Sequence, residues 1–162
     1  EKHQRRHDII PPQVKIAGNY TSSMMAKWQA RKNGYDEIIF TDEKGYITEA
    51  PTSNVFIINQ ENVLLTAPES DVLYGITRKS VLEIAKNENI NIKEDKIPPH
   101  ELENAKEVFL TSSSHLICPV VKIDNRPLES QNLKSITNKL KMRFLKIIQG
   151  EDSFSNRWLD KV

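Results

Sequence analysis

The sequence predicts an α+β (mixed α/β) fold, and three observations carry that reading. Segments rich in β-branched and aromatic residues outnumber the helical ones. They come in hairpin-like pairs around polar turns, with helices interleaved rather than alternating strictly as in a doubly wound sheet. The 162 residues make one domain, large enough to bury a core without a metal or a disulfide.

The elements follow in order. Residues 1–14, EKHQRRHDIIPPQV, read as the end of a linker: they are basic, then reach Pro11 and Pro12, which favour extended backbone. Residues 20–33 read as a helix capped by Asn19 and stopped at Gly34. Its apolar positions Tyr20, Met24, Met25, Trp28 and Ala30 form an irregular stripe, read as packing. Two hairpins follow, 36–42 with 46–49 and 53–59 with 62–67. Residues 76–88 form an amphipathic helix with Val81, Leu82 and Ala85 inward and Thr77 as candidate cap. A strand at 90–95 and a proline-opened short helix at 98–105 come next. Residues 107–111 and 116–123 are strands, with Pro119 marking an edge or a bulge. The last helix, 132–148, repeats on Leu133, Ile136, Leu140, Phe144 and Ile147. Phe154 and Trp158 dock the polar tail, 151–162.

Composition excludes several classes. Lys plus Arg is 23 against 22 for Asp plus Glu, a net charge of +1 that gives no electrostatic case for nucleic acid or an anionic membrane. No apolar run approaches the length of a membrane span. The single cysteine, Cys118, excludes an internal disulfide framework and is read as a core residue. His3, His7, His100 and His115 lack metal-ligand spacing, so no metal site is expected. Glycine-rich dinucleotide and P-loop motifs are absent.

Taken singly, the chemistry-bearing residues are ambiguous. Gly75, Ile76 and Thr77 open a helix, where free N–H groups favour an anion but also simply make a turn. Ser112, Ser113 and Ser114 end a strand, as an anion nest or an ordinary loop. Lys15 is either a surface charge or a Schiff-base amine. Glu49 ends a hairpin strand, as a surface charge or a carboxylate facing a site.

Together, KIAGNY, GYDEIIFTDEKGYITEAPTSNVF, LLTAP, LYGITRKSVLEIA and ELENAKEVFLTSSSHLICPV resemble the fold-type IV PLP-dependent aminotransferases, closest to the branched-chain amino-acid aminotransferases. The resemblance runs from about Arg6 to about Gln149, with a further likeness in WLDKV. It implies a C-terminal PLP-binding domain over residues 15–150: a curved hairpin-rich sheet or pseudo-barrel with flanking helices. It also implies an interdomain linker remnant at 1–14 and a packed tail at 151–162. The family's N-terminal domain is absent from these residues, which alone are expected to be inactive.

The resemblance assigns roles by position. Lys15 matches the catalytic lysine that forms a Schiff base with the PLP cofactor and moves the substrate's α-proton. Tyr20 matches the tyrosine that hydrogen-bonds the cofactor's phenolic oxygen. Glu49 matches the carboxylate paired with the pyridine nitrogen. Ile76 and Thr77 match the phosphate-binding helix start, and Ser113 the hydroxyl on the phosphate's other side. Ser114 and His115 match residues beside the substrate carboxylate. Arg78 matches an arginine read as structural support. The implied reaction is transamination between a branched-chain L-amino acid and 2-oxoglutarate, in a cytoplasmic homodimer or higher homo-oligomer. D-amino acid aminotransferases and aminodeoxychorismate lyases share the fold type and stay open as alternatives, as does an inactive PLP-fold domain.

The sequence departs from the family at definite places. Ala50 replaces a usual glycine, Tyr74 replaces a proline, and Ser112 to His115 replace Gly-Thr-Ala-Ala. The loss of glycine at 112 removes easy access to positive φ there. ESQNLKS replaces the family's glycine-rich stretch after the last strand.

Overall fold

The computed structural model describes residues 10–160. Residues 1–9, which hold most of the linker reading and Arg6, and residues 161–162 of the tail lie outside the described residues.

Helix α1 spans Ala17–Lys32 and ends where Gly34 takes φ 87°. Strands β1 (Glu49–Ala50), β2 (Ser53–Ile58) and β3 (Leu64–Thr66) follow. A single 3-10 turn at Glu69–Asp71 leads to α2 (Ile76–Asn87). Then come β4 (Ile92–Glu94), α3 (Pro99–Glu103), β5 (Glu107–Ser112) and β6 (Leu116–Val120). The two-stranded β7 (Lys122–Ile123) and β8 (Arg126–Pro127) precede α4 (Ile136–Ile148) and α5 (Ser155–Trp158).

The main sheet has the order β4-β3-β2-β5-β6, with β1 paired to the start of β2. All pairings are antiparallel except β3 with β4. Alternation along β2 and β5 sends Phe56, Ile58 and Phe109 to one face. There they meet Val81, Ile84 and Ala85 of α2 and Leu140, Phe144 and Ile147 of α4. The Phe56 and Phe109 rings stack at 5.0 Å. Val55, Ile57, Val108 and Leu110 build a second core on the opposite face with Ile47, Ile97 and Ala105.

This agrees with a mixed α/β chain whose sheet is flanked by helices, and several local expectations need correction. Residues 36–42 and 46–49 pair through Phe40, Asp42 and Thr48, yet only Thr41 and Ile47 form a bridge, and the ladder proper begins at Glu49. The expected strand 116–123 breaks at Val121, because β7 turns away to pair with β8. Pro119 does sit on an edge strand, where its missing N–H costs no ladder bond. The last helix starts at Ile136, not residue 132: Ser135 caps it by accepting from Asn138 N at 3.0 Å, and Leu133 is 86% exposed.

Three side-chain readings are also overturned. Asn19 lies inside α1 rather than capping it, and its Nδ2 donates to the Val14 carbonyl at 2.8 Å. The α1 stripe packs only in part: Met24, Met25 and Trp28 are exposed, Tyr20 is half-buried and Ala30 is buried, and Ser23 and Ala26, outside the stripe, are buried as well. Small residues let the helix lie close to the body, and the large ones point away. Cys118 is exposed on the outer face of β6. Phe154 and Trp158 do dock the tail, with ring centroids 5.3 Å apart and Trp158 6.4 Å from Phe144. Among the described residues, no helix is long and apolar enough to cross a membrane.

Candidate active site

A cavity of about 240 Å³ lies where the polar end of the sheet meets the start of α2. Register explains its floor. Glu49 pairs with Asn54, and Asn54 pairs with Thr111, so these three side chains share the face that carries Phe56 and Phe109 further along. A polar row thus replaces the apolar one at this end. Glu49 is 3% exposed, and its Oε2 accepts from Leu73 N at 3.2 Å. Thr111 Oγ1 is buried without a hydrogen-bond partner.

Lys15 comes to the cavity from the segment leading into α1, and Tyr20 from the first turn of α1. That segment is tied down twice. Asn19 Nδ2 holds the Val14 carbonyl, and Gln13 Nε2 donates to the Ser70 carbonyl. Lys15 is exposed at the cavity mouth and Tyr20 is half-buried.

The anion-friendly end is the start of α2. Gly75 is its N-cap, not Thr77, and no side chain caps the helix. Ile76 and Thr77 line the cavity there, with Ser113 on the β5–β6 turn. Helix α4 is the contrast: Glu107 Oε1 and Oε2 accept from Ile136 N and Thr137 N at 2.9 and 2.7 Å. One helix start is filled by the protein's own carboxylate, and the other faces open space.

Ser114 and His115 follow Ser113 on the same turn but do not wall the cavity. Ser114 Oγ lies 2.9 Å and Ser112 Oγ 3.2 Å from His115 Nδ1. Positive φ in this turn falls on Leu116, at 55°, and not on Ser112, so the serine at 112 costs no strain. Tyr74 fits the loop before α2 with its ring 5.3 Å from the Arg78 guanidinium. Arg78 is fully buried and its Nη2 donates to the Ala67 carbonyl at 2.9 Å and to Glu94 at 2.8 Å, bracing α2 against the ends of β3 and β4.

The structure therefore brings Lys15, Tyr20, Glu49, Ile76, Thr77 and Ser113 around one cavity. Sequence reasoning missed Asn54 and Thr111. Their signal was present: each is a polar residue in an apolar strand, in phase with Phe56 or Phe109.

A family model described as amino-transferase class IV matches residues 1–123. The chain belongs to the class IV aminotransferases. Among relatives of this class, it is 36% identical over 161 residues to a probable branched-chain-amino-acid aminotransferase of Aquifex aeolicus, covering 98% of this chain and 52% of that protein. It is similar to the crystal structure of the branched-chain aminotransferase of Thermoproteus uzoniensis with norvaline: TM-score 0.90, 34% identity, 98% of this chain and 52% of that one. The PLP-form of the Thermobaculum terrenum branched-chain amino acid aminotransferase matches with TM-score 0.90 at 28% identity, covering 97% of this chain and 52% of that one. The class IV chain described here spans about half the length of the relatives it matches.

Proposed function

We propose that this chain is the PLP-binding portion of a branched-chain amino-acid aminotransferase, which moves the amino group of a branched-chain L-amino acid to 2-oxoglutarate. The observation that carries the reading is the shared cavity: Lys15, Tyr20, the buried Glu49 carboxylate and one uncapped helix start face the same space. The donor set fits a phosphorylated pyridine aldehyde. A dianion suits the bare N–H groups of α2 and the hydroxyl of Ser113. The unpartnered Thr111 hydroxyl adds a polar group on the wall that is left for a ligand.

When bound, PLP supplies an aldehyde for the amino group and a ring that takes up electrons from the breaking bond. Lys15 Nζ would hold the cofactor at its aldehyde carbon until the amine of the amino acid displaces it, and the freed Lys15 amine would then take the α-proton as general base. The Glu49 carboxylate would keep a proton on the ring nitrogen by charge. Tyr20 Oη would hydrogen-bond the phenolic oxygen. Ile76, Thr77 and Ser113 would hold the phosphate; Ser114 and His115, on the turn next to Ser113 but off the cavity wall, are assigned to the substrate carboxylate by the resemblance alone. The curved, pseudo-barrel form of the sheet, the domain division at residues 15–150, a homodimeric or higher assembly and a cytoplasmic location belong to the same proposal.

The Ser112 to His115 segment, which replaces Gly-Thr-Ala-Ala and brings Ser112 and Ser113 to the cavity wall, leaves room for a second reading, a D-amino acid aminotransferase or aminodeoxychorismate lyase.

The test uses the full-length protein. PLP is added, the absorbance spectrum recorded, and the complex reduced with borohydride and peptide-mapped. The expected result is a new visible band and a label on Lys15, with glutamate formed from L-leucine and 2-oxoglutarate. Turnover of D-alanine or aminodeoxychorismate instead of L-leucine establishes the second reading. Failure to bind PLP leaves the inactive-domain reading.

A further inference from the structure

The loop that delivers α2 to the cavity is held at a single residue, Leu73, by two side chains of neighbouring strands. Glu49 Oε2 accepts from Leu73 N at 3.2 Å, and Asn54 Nδ2 donates to Leu73 O at 2.7 Å. Glu49 and Asn54 face each other across the β1–β2 ladder. Asn54 is 6% exposed and stands in the floor of the cavity. Its other end explains a glycine. A Cβ at Gly75 would sit 2.5 Å from Asn54 Oδ1, so the first turn of α2 rests on the Asn54 amide and only glycine permits that approach. Gly75 itself has an ordinary extended backbone, φ −67° and ψ 140°, so contact and not conformation demands glycine here.

We propose that Asn54 is a positioning residue for the phosphate end of the cofactor site. Its amide fixes the distance between the Glu49 carboxylate and the N–H groups of Ile76 and Thr77. One ligand must touch both ends at once, and Asn54 is the side chain that bonds one strand of the floor to the loop and packs on the helix start. If the amide is removed, the Leu73 carbonyl keeps only its local bond from the Gly75 N–H at 2.9 Å, and Leu73 is then tied to the floor strands by Glu49 alone. The inference rests on the PLP reading above.

The test compares dissociation constants of the full-length protein for PLP and for pyridoxal, which keeps ring and aldehyde but lacks the phosphate. Asn54→Ala is expected to weaken PLP by at least about tenfold while pyridoxal changes by less than about twofold. Gly75→Ala is expected to do the same by forcing Cβ onto Asn54 Oδ1. Asn54→Ala with Gly75→Ala should bind PLP no worse than Asn54→Ala alone, since the collision is relieved; a general loss of stability has no reason to give that pattern. Thermal unfolding of each ligand-free variant reports folding. Should Asn54→Ala fail to fold, Gly75→Ala carries the test. A wild-type protein that binds PLP no tighter than pyridoxal, or not at all, overturns the functional reading. A wild-type protein that prefers PLP, with variants that keep that preference, overturns the role of Asn54 and leaves the functional reading standing.

Discussion

Glu107 Oε2 accepts a hydrogen bond from the backbone N–H of Thr137 at 2.7 Å, and both partners are buried. Its second oxygen takes Ile136 N at 2.9 Å, so one β5 carboxylate fills the first turn of α4. The same sheet thus treats two helix starts in opposite ways, sealing α4 and leaving α2 open toward the cavity.

Glu107→Ala leaves the buried Thr137 N–H and the half-buried Ile136 N–H without an acceptor. The expected cost is about 3 kcal/mol, because charge-assisted hydrogen bonds are lost and their donors stay desolvated. Glu107→Gln keeps one acceptor and should cost less. Urea unfolding of both variants checks this, and an unchanged midpoint for Glu107→Ala would contradict the capping role.

Lys15→Ala should abolish the borohydride-trapped adduct and lower turnover of the full-length protein by about 10²- to 10⁴-fold, the range of a lost general base. Lys15 is exposed, so folding should be unaffected. A variant that keeps near-normal turnover would move the catalytic amine elsewhere.

Glu49→Gln retains an oxygen for Leu73 N but loses the charge. The loop should hold its place and PLP affinity should change little, while the rate of α-proton removal falls. Single-turnover kinetics with L-leucine separates the two effects. An unaltered rate would remove Glu49 from the chemistry.

Acid should destabilise the fold in a defined window. Burial alone would raise the Asp42 carboxyl, but the N–H of Tyr46, the Lys96 ammonium and the N–H of Lys44 hold it below its ordinary 3.8. Glu88 lies below 4.5 chiefly through its hydrogen bond to Lys139, which, with Arg143, outweighs burial. Asp152 lies below 3.8 through the N–H of Phe154, with Arg143 adding to it against burial. These carboxylates bind protons more weakly in the folded state. Their contribution is complete above pH 4.5 and is lost as pH falls through the lowered folded values. Lys96 has the opposite sign: Asp71 and Asp42 overcome burial and raise it above 10.5, so its contribution holds below that pH and fades above it. Urea midpoints across the acid range should fall for the wild type and fall less steeply for Asp42→Asn. Equal slopes would show that Asp42 carries none of the effect.

Much of the fold was legible because period and punctuation agreed. Residues 76–88 and 107–111 carry clear apolar periods, and α2 and β5 lie there within a residue or so. The α4 start was misplaced because Leu133 falls in phase with the stripe, while the physical stop is the Ser135 cap and the distant Glu107 carboxylate. Glu107 read as an ordinary strand end, since the partner that gives it a purpose is remote in sequence. Composition alone could not place the α1 stripe, because Met24, Met25 and Trp28 look like core residues until Ala26 and Ala30 are seen to do the packing. In the cavity, Lys15 and Glu49 were found through a resemblance. Asn54 and Thr111 needed the register, which pairs residues of separate strands.

The pairing of Asn54 with Thr111 across β2 and β5 has a bearing on the order of events during folding. The cavity draws on residues from Lys15 to Ser113, and β5 reaches β2 only after α2, β4 and α3 have been laid down. Such pairing is slow, because a long loop must close before any contact rewards it. A chain that had formed α2 and the β2–β3 hairpin but not yet added β5 would lack Thr111, Ser112 and Ser113 of the binding site. A cofactor would therefore meet the finished product alone, drawing the equilibrium toward it by mass action and slowing its loss without hastening its formation.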